Sequence, residues 1–274
     1  MAKATRIMRE HLSLVDVLIE ILDARIPFSS RNPEIDTLAR DKKRIIILNK
    51  ADLAAPEITS AWRDFFISKD FSAIETDARS LKNKKLLLEI IKKLTDEKRE
   101  RQLKRGRKAI TVRAMVAGIP NSGKSTFINS VANRAGAATG DKPGVTRGRQ
   151  WIKINESFEL LDTPGILWPK FEEAAIGINL AATGAVSDDI LDRINLCEEL
   201  LRLLTSLGFA EKTFAARYKL SGYENKNPRA LLEMIGEARG FKMKGGAVDL
   251  ERAAVTVLDE FREGRLGRVS LERP

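Results

Sequence analysis

One octapeptide constrains the fold of this chain more than any other segment. Residues 118–125 read Gly-Ile-Pro-Asn-Ser-Gly-Lys-Ser, which matches G-x-x-x-x-G-K-S in full. An apolar run, Thr111 to Ala117, precedes the motif, and a segment of helical character, Thr126 to Asn133, follows it. This context matters because loop N–H groups and a helix N-terminus together face a bound anion. The sequence therefore predicts a phosphate-binding loop in a strand–loop–helix unit.

The other apolar runs predict the sheet to which this unit belongs. Short apolar segments bounded by polar turns lie at residues 17–22, 44–48, 72–76, 111–117, 151–154 and 158–161. Helical stretches such as 56–68 and 85–105 separate them. Short strands alternating with helices are typical of a mainly parallel sheet with helices on both faces. We therefore predict an α/β domain.

The second part of the chain has a different pattern. After about Pro169, apolar positions recur at helical spacing only, in residues 190–204, 230–238 and 250–261. Ser187-Asp188-Asp189 and Asn227-Pro228 have the residue types of helix starts. Cys197 lies among leucines and is expected in a core. We predict an α/β domain over 1–170 and a small all-helical domain over 171–274.

Residue types within the loop suit a nucleotide triphosphate. Gly123 lets the backbone approach the phosphates, Lys124 neutralises their charge, and the Ser125 hydroxyl is a hard oxygen ligand for Mg²⁺. We predict that Lys124 is also catalytic. The predicted nucleotide contacts from this segment are Asn121, Ser122, Gly123, Lys124, Ser125 and Thr126.

Two downstream segments fit the same chemistry. Asp162-Thr163-Pro164-Gly165 follows the apolar run 158–161, so Asp162 can hold the Mg²⁺ shell through water, and the Gly165 N–H can reach the terminal phosphate. Between the two motifs, Thr146 follows a Pro-Gly turn and is a candidate switch residue that completes the Mg²⁺ shell when a third phosphate is present. We predict Thr146 and Gly165 as catalytic, and Ser125, Thr146 and Asp162 as Mg²⁺ ligands.

A separate segment predicts which base is bound. Asn49-Lys50-Ala51-Asp52 directly follows the apolar run 44–48. Guanine presents N–H donors at N1 and N2, which one carboxylate, that of Asp52, can accept together, whereas adenine lacks this donor pair. Asn49 can brace the neighbouring loops, and the Lys50 stem can cover the ring. After the next strand, Asp77 and Ala78 are expected at the base, Ala78 through its N–H.

The order of these motifs is unusual. In ordinary GTPases the phosphate-binding loop precedes Asn-Lys-x-Asp, whereas here Asn49 precedes Gly118, so the set is circularly permuted. Further characteristic segments are Asp23-Ala24-Arg25-Ile26-Pro27, Gly140-Asp141-Lys142-Pro143-Gly144, Asp162 to Pro169, Lys244-Gly245-Gly246 and Gly267 to Glu272. Together they closely resemble the ribosome biogenesis GTPase A (YlqF/RbgA) family over essentially the whole chain.

The resemblance carries specific expectations. It implies a P-loop GTPase fold, GTP and GDP as ligands, and a role in late assembly of the bacterial large ribosomal subunit, with a C-terminal helical domain that binds rRNA. It implies that Asn121 coordinates an activating K⁺. Family members carry a catalytic histidine in a Pro-Gly-His segment that aligns upstream of Met1. His11 does not match it, and we expect His11 on a helix surface.

Charge agrees with an RNA partner. Forty-eight Lys and Arg residues against 38 Asp and Glu residues give a net charge of +10, which attracts nucleic acid. In the helical domain the candidate phosphate contacts are Arg217, Lys219, Lys242, Lys244, Arg265 and Arg268. Solvated helix faces are the alternative interpretation of these residues.

Composition narrows the remaining alternatives. One cysteine and one histidine exclude a zinc site built from those ligands, and no apolar run approaches the ~20 residues of a membrane helix. We expect a cytoplasmic monomer. Two other functions stay open. One is a non-catalytic GTP-gated RNA-binding scaffold, because the family's upstream catalytic histidine is absent from this chain and Ile166 stands where many GTPases have a water-orienting glutamine. The other is an ATP-using RNA enzyme.

Overall fold

A six-stranded sheet forms the first part of the molecule. The computed structural model describes residues 2–106, 110–132, 150–162, 173–187 and 192–274. The strands are β1 (Val17–Asp23), β2 (Lys43–Asn49), β3 (Ser72–Glu75), β4 (Val112–Ala117), β5 (Gln150–Asn155) and β6 (Phe158–Asp162). Their order is β3-β2-β1-β4-β6-β5, parallel throughout except that β5 runs antiparallel to β6 at the edge. The predicted mainly parallel sheet is confirmed.

This strand order places the motifs at one edge. β1 and β4 are neighbours, β2 flanks β1, and β6 flanks β4. Asp23 and Asn49, the last residues of β1 and β2, are in register. The carboxyl ends of parallel strands share one edge of a sheet, and ligands bind in the crevice outside that edge. The loops that follow β1, β2 and β4 therefore converge with the carboxyl end of β6, although their order along the chain is permuted.

Helices cover both faces of the sheet. They are α1 (Ala2–Leu12), α2 (Pro33–Leu38), α3 (Pro56–Ser68), α4 (Lys84–Lys104) and α5 (Lys124–Ala132). Trp62 and Phe66, one turn apart on α3, are buried against Leu22, Ile46 and Leu48 on one face. On the other face, α4 and α5 pack on Ile19, Ile45 and their neighbours. The apolar positions predicted for 56–68 and 85–105 therefore form the two faces of the core.

The expectation for His11 was wrong. His11 is 4% exposed, because it lies on the same face of α1 as Met8 and Leu12, at positions three or four residues apart that a helix places together. That face packs on the sheet beside Val15 and Leu18. The single histidine is therefore a buried residue of the α/β part.

Helices alone build the described C-terminal part. They are α6 (Ala174–Ala182), α7 (Arg193–Ser206), α8 (Ala216–Tyr218), α9 (Pro228–Ala238) and α10 (Leu250–Arg262), with a π-helical turn at Glu211–Ala215. Cys197 is fully buried in their shared core, as predicted, and burial raises the pKa of its thiol. Asn227 caps α9 as predicted. α7 begins at Arg193, where the Asp192 carboxylate accepts the Asn195 N–H, and the helix start predicted at Asp188 and Asp189 lies outside the described residues.

The helical core extends to the α/β part. Ile26, which follows β1, and Ile119, which follows β4, are both buried in it. The predicted domain boundary at 170/171 lies outside the described residues. Within the described ranges, no helix combines the length and apolar character that membrane crossing requires.

Candidate functional site

The loop between β4 and α5 is closed by contacts of its own. Ser122 Oγ and Lys124 Nζ both donate to the carbonyl oxygen of Ile119, at 2.9 and 2.7 Å. Gly123 has φ +93°, and a Cβ there would lie 2.2 Å from Asn49 Nδ2. Glycine is therefore required at position 123 for both its conformation and the close approach of Asn49.

Lys124 is a buried cation. It is 7% exposed, and burial lowers the pKa of its ammonium to about 8, while the nearby Asp162 carboxylate opposes that shift. Desolvation without full charge compensation makes an anion beside Lys124 favourable. Ordered phosphates at the N-terminus of α5 would supply that anion.

Asn49 joins three loops at the carboxyl edge of the sheet. Its buried Nδ2 donates to Ser122 O in the phosphate-binding loop at 2.7 Å. Its Oδ1 accepts the Ala78 N–H at 2.9 Å. The predicted bracing role of Asn49 has this geometry. The Ala78 N–H was predicted to contact guanine, whereas in this structure it donates to Asn49.

Asp52 presents an open acceptor. Its Oδ1 is buried and has no hydrogen-bond partner, although buried polar atoms are nearly always paired. Its Oδ2 accepts from Arg79 Nη2 at 2.5 Å. Arg79 also donates to Asp77 Oδ1, through its backbone N–H at 3.0 Å and its Nε at 3.1 Å. The geometry leaves one buried carboxylate oxygen for a donor such as guanine N–H.

Arg79 was missed by sequence reasoning. Its side chain is 69% exposed and covers the Asp52 carboxylate from the solvent side. The only available signal was its position directly after Asp77-Ala78, in a loop already expected at the base. Arg79 occupies one acceptor position of Asp52 Oδ2, and the carboxylate keeps further lone pairs for a base.

Lys50 belongs to a charge cluster with the buried residues Asp23 and Arg25. Lys50 has φ +59° and its Nζ lies 2.9 Å from Asp23 Oδ2. Arg25 donates to both Asp23 oxygens, from Nε at 2.9 Å and Nη2 at 2.7 Å. Although burial raises the pKa of Asp23, the charges of Arg25 and Lys50 hold it well below the ordinary value. Sequence reasoning noted Asp23-Ala24-Arg25 only as a characteristic segment and gave it no structural role.

The described residues include two of the three predicted Mg²⁺ ligands. Ser125 lies in the first turn of α5, and Asp162 is buried at the end of β6. Thr146 and Gly165 lie outside the described residues. The described ranges contain no group of three His, Cys, Asp or Glu residues suited to a metal ion. A hydroxyl and a carboxylate nevertheless fit Mg²⁺, which in phosphate sites takes its other ligands from phosphates and water.

Asn121, the predicted K⁺ ligand, reaches the helical part. It has φ +56°, and its Nδ2 donates to Gly184 O, after α6, at 2.7 Å. Coordination of K⁺ would use the amide oxygen, because only that atom has a lone pair to offer. Asn121 therefore also links the phosphate-binding loop to the end of α6.

The predicted RNA contacts differ in their surroundings. Arg217 pairs with Glu260 at 2.8 Å and Arg265 with Glu263 at 2.7 Å. Lys219, Lys242 and Lys244 are exposed. Arg268 donates to two backbone carbonyls of the α/β part, those of Ala51 and Ala54, so its guanidinium is already engaged within the chain.

Comparison with known proteins gives consistent matches. Residues 113–220 match the family described as 50S ribosome-binding GTPase. Ribosome biogenesis GTPase A of Bacillus cereus is 43% identical, with all of this chain and 92% of the relative covered. The protein of the same name from Thermotoga maritima is 30% identical over 99% of this chain and 91% of the relative.

Two solved structures of YlqF are similar to this chain over nearly its whole length. The chain superposes on GDP-bound YlqF with a TM-score of 0.70 and 27% identity, covering 97% of this chain and 98% of the other. For GNP-bound YlqF from T. maritima the TM-score is 0.68 and the identity 28%, with 99% and 98% covered.

Proposed function

Because the chain belongs to the ribosome biogenesis GTPase A (YlqF/RbgA) family, we propose that it binds and hydrolyses GTP as a factor in late assembly of the large ribosomal subunit. The observation that carries this function is the bridge made by Asn49. One buried side chain joins the loop that holds phosphates to the loop beside Asp52. The loops that would contact the base and the phosphates of one nucleotide are thus fixed to each other by Asn49.

We propose the following roles within the site. Lys124 and the N-terminus of α5 bind the outer phosphates, and Asp52 accepts from guanine. Ser125 would hold Mg²⁺ directly and Asp162 would hold it through water, with Thr146 as a further ligand in the GTP state. Mg²⁺, which GTPases of this family use, would neutralise charge on the transferring phosphate.

Hydrolysis needs help beyond these residues. Ile166 follows Gly165, and an aliphatic side chain cannot orient the attacking water. We therefore propose slow intrinsic turnover that K⁺, bound by the Asn121 oxygen, and the ribosomal particle accelerate. The Gly165 N–H contacts the terminal phosphate in this proposal.

The partner surface is assigned to the C-terminal part. We propose that 1–170 form the GTPase domain and 171–274 an RNA-binding domain, whose contacts to rRNA phosphates include Lys219, Lys242 and Lys244. The exposure of these three lysines supports the assignment. The protein acts in the cytoplasm, as a monomer, on pre-ribosomal particles.

GTP turnover tests the proposal. Phosphate release is measured with GTP alone and with large ribosomal subunits, each in K⁺ and in Na⁺. We expect slow release alone, faster release with subunits, and higher rates in K⁺. Turnover that stays at background with subunits present contradicts the enzymatic function. Equal rates in the two salts contradict only the K⁺ site.

A further inference from the structure

The end of the chain packs on the guanine-reading loop. Residues 266–272, here called the C-terminal strap, follow α10. The Val269 N–H donates to Leu53 O at 2.9 Å, and the Leu271 N–H donates to Arg25 O at 2.8 Å. Val269 is fully buried at this contact. The strap is therefore joined by backbone hydrogen bonds to the loops after both β1 and β2.

Arg268 spans the loop that presents Asp52. Its Nε donates to Ala54 O at 2.9 Å and its Nη2 to Ala51 O at 2.8 Å. These carbonyls lie on either side of Asp52 along the chain. The backbone N–H of Ala51 donates in turn to Thr76 O at 3.0 Å. The planar guanidinium holds both carbonyls in one fixed geometry, which the freely rotating ammonium of a lysine does not impose.

Both ends of the strap are anchored independently of Arg268. At the far end, the Glu272 carboxylate accepts the N–H groups of Phe28 and Ser29 at 2.7 and 3.1 Å. It also accepts from Asn179 Nδ2, on α6, at 2.9 Å. At the near end, just before the strap, a Cβ on Gly264 would lie 2.5 Å from a Leu53 methyl group, so the backbone between α10 and the strap lies directly against the loop. The strap is thus a rigid base for Arg268.

We propose that Arg268 is a positioning residue for guanine recognition: by holding the carbonyls of Ala51 and Ala54, it fixes the loop so that Asp52 accepts from both N1 and N2 of the base. This inference rests on the proposed function, because it takes Asp52 as the guanine acceptor. It gives Arg268 a role different from the RNA contact predicted from sequence.

Inosine diphosphate (IDP) supplies a specific readout. Hypoxanthine keeps the N1–H donor of guanine but lacks the N2 amine, so the ratio of GDP to IDP affinity measures the second hydrogen bond to Asp52. A general loss of folding or of phosphate binding weakens both nucleotides together. A misplaced Asp52 lowers the ratio, whereas a lost RNA contact leaves the ratio unchanged.

The test compares R268A and R268K with R265A, by titrating GDP and IDP into each full-length protein. Arg265 directly precedes the strap, is 59% exposed and pairs with Glu263 two residues away, so R265A is the matched control. We expect R268A to lower the GDP-to-IDP ratio by at least about threefold, R268K to give an intermediate ratio, and R265A to stay within about twofold of wild type.

An unchanged ratio in folded R268A overturns the proposal. If circular dichroism shows that R268A is unfolded, R268K decides alone, with a lowered ratio supporting and a wild-type ratio overturning the inference. A wild-type protein that binds GDP and IDP equally contradicts guanine reading by Asp52 itself, which is a separate failure from that of Arg268.

Discussion

The carboxylate of Asp52 is the residue-scale feature with the most direct chemical consequence. One oxygen is held by Arg79, and the other is buried without a partner. An unsatisfied buried acceptor costs stability, so its retention is explained if a ligand donor fills it. Guanine offers two such donors on one edge, and the two oxygens of one carboxylate can accept them together.

Substitution of Asp52 by Asn should change base preference. The amide can accept only one N–H and presents an NH₂ group to the N2 amine of guanine, so GDP affinity should fall by about tenfold or more. Xanthosine diphosphate, which has an oxygen at C2, should gain relative to GDP. Competition against a fluorescent nucleotide measures both. Asp64→Asn, an exposed change on α3, should alter neither; equal loss of both nucleotides in D52N would contradict the assigned role.

Lys124 gives the site a pH dependence. Its pKa is about 8 without ligand because of burial, and bound phosphates stabilise the charged form, so nucleotide binding raises that pKa. At pH 7 the ammonium is mostly charged in both states. Between pH 8 and 9 it is largely neutral until nucleotide binds, so binding takes up a proton and GDP affinity falls with rising pH.

Calorimetry of GDP binding in buffers of different ionisation enthalpy measures this uptake. We expect up to about one proton at pH 8.5 and much less at pH 7. Lys50, whose pKa is also lowered by burial, is a second group that could take up this proton. The uptake should persist in Lys50→Arg, whose guanidinium does not titrate. No uptake at pH 8.5, or its disappearance in K50R, would contradict the assignment to Lys124.

At the element scale, the end of β1 connects sheet and helices. Arg25 uses two nitrogens on Asp23, and its Nη1 donates to Phe261 O at 3.3 Å, at the C-terminal end of α10. A cation favours the negative end of a helix dipole. The Arg25 guanidinium therefore satisfies a buried carboxylate and a helix terminus together.

Removal of Arg25 should be costly. Arg25→Ala leaves Asp23 buried with Lys50 as its one remaining cation, and loss of one partner of a buried ion pair costs about 3–5 kcal/mol in free energy of unfolding. Urea unfolding at pH 7 measures it. Arg202→Ala, which removes an exposed pair with Glu199, should cost less than about 1 kcal/mol. A similar small cost for both variants would contradict a supporting role for Arg25.

Strands were the elements best predicted from sequence. Each apolar run from 17–22 to 158–161 became a strand, because a parallel sheet buried on both faces requires continuous apolar residues. The burial of residues at the end of α1 was harder to predict. His11 is buried only because the face it shares with Met8 and Leu12 meets the sheet. That contact depends on tertiary packing, which periodicity around one histidine does not reveal.

At the scale of the whole molecule, the permuted order leaves the sheet intact and changes what surrounds it. The helical core takes in Ile26 and Ile119, Asn121 bonds to the end of α6, and the C-terminal strap covers the guanine loop. Base and phosphate loops are thus both in contact with the C-terminal part. We expect these contacts to couple nucleotide state to the position of this part.

The candidate site could be predicted in outline because its motifs are short and local. Asn49 and Asp162 end strands, and Asp52 and Lys124 lie shortly after strands, so the sheet brings all four to one edge. The contacts of Arg268 with Ala51 and Ala54 could not be predicted, because 217 and 214 positions separate the partners and no local pattern marks them. Arg79 and Arg25 were likewise identifiable only from their contacts in three dimensions.

The central claim, that this chain recognises guanine beside a phosphate cradle, is tested most directly by the affinities of GDP and ADP, measured by calorimetry on the full chain with Mg²⁺. The account predicts one bound GDP and an affinity for GDP at least about a hundredfold above that for ADP, because adenine cannot satisfy the Asp52 carboxylate. Equal affinities for the two nucleotides, or no GDP binding, would contradict it.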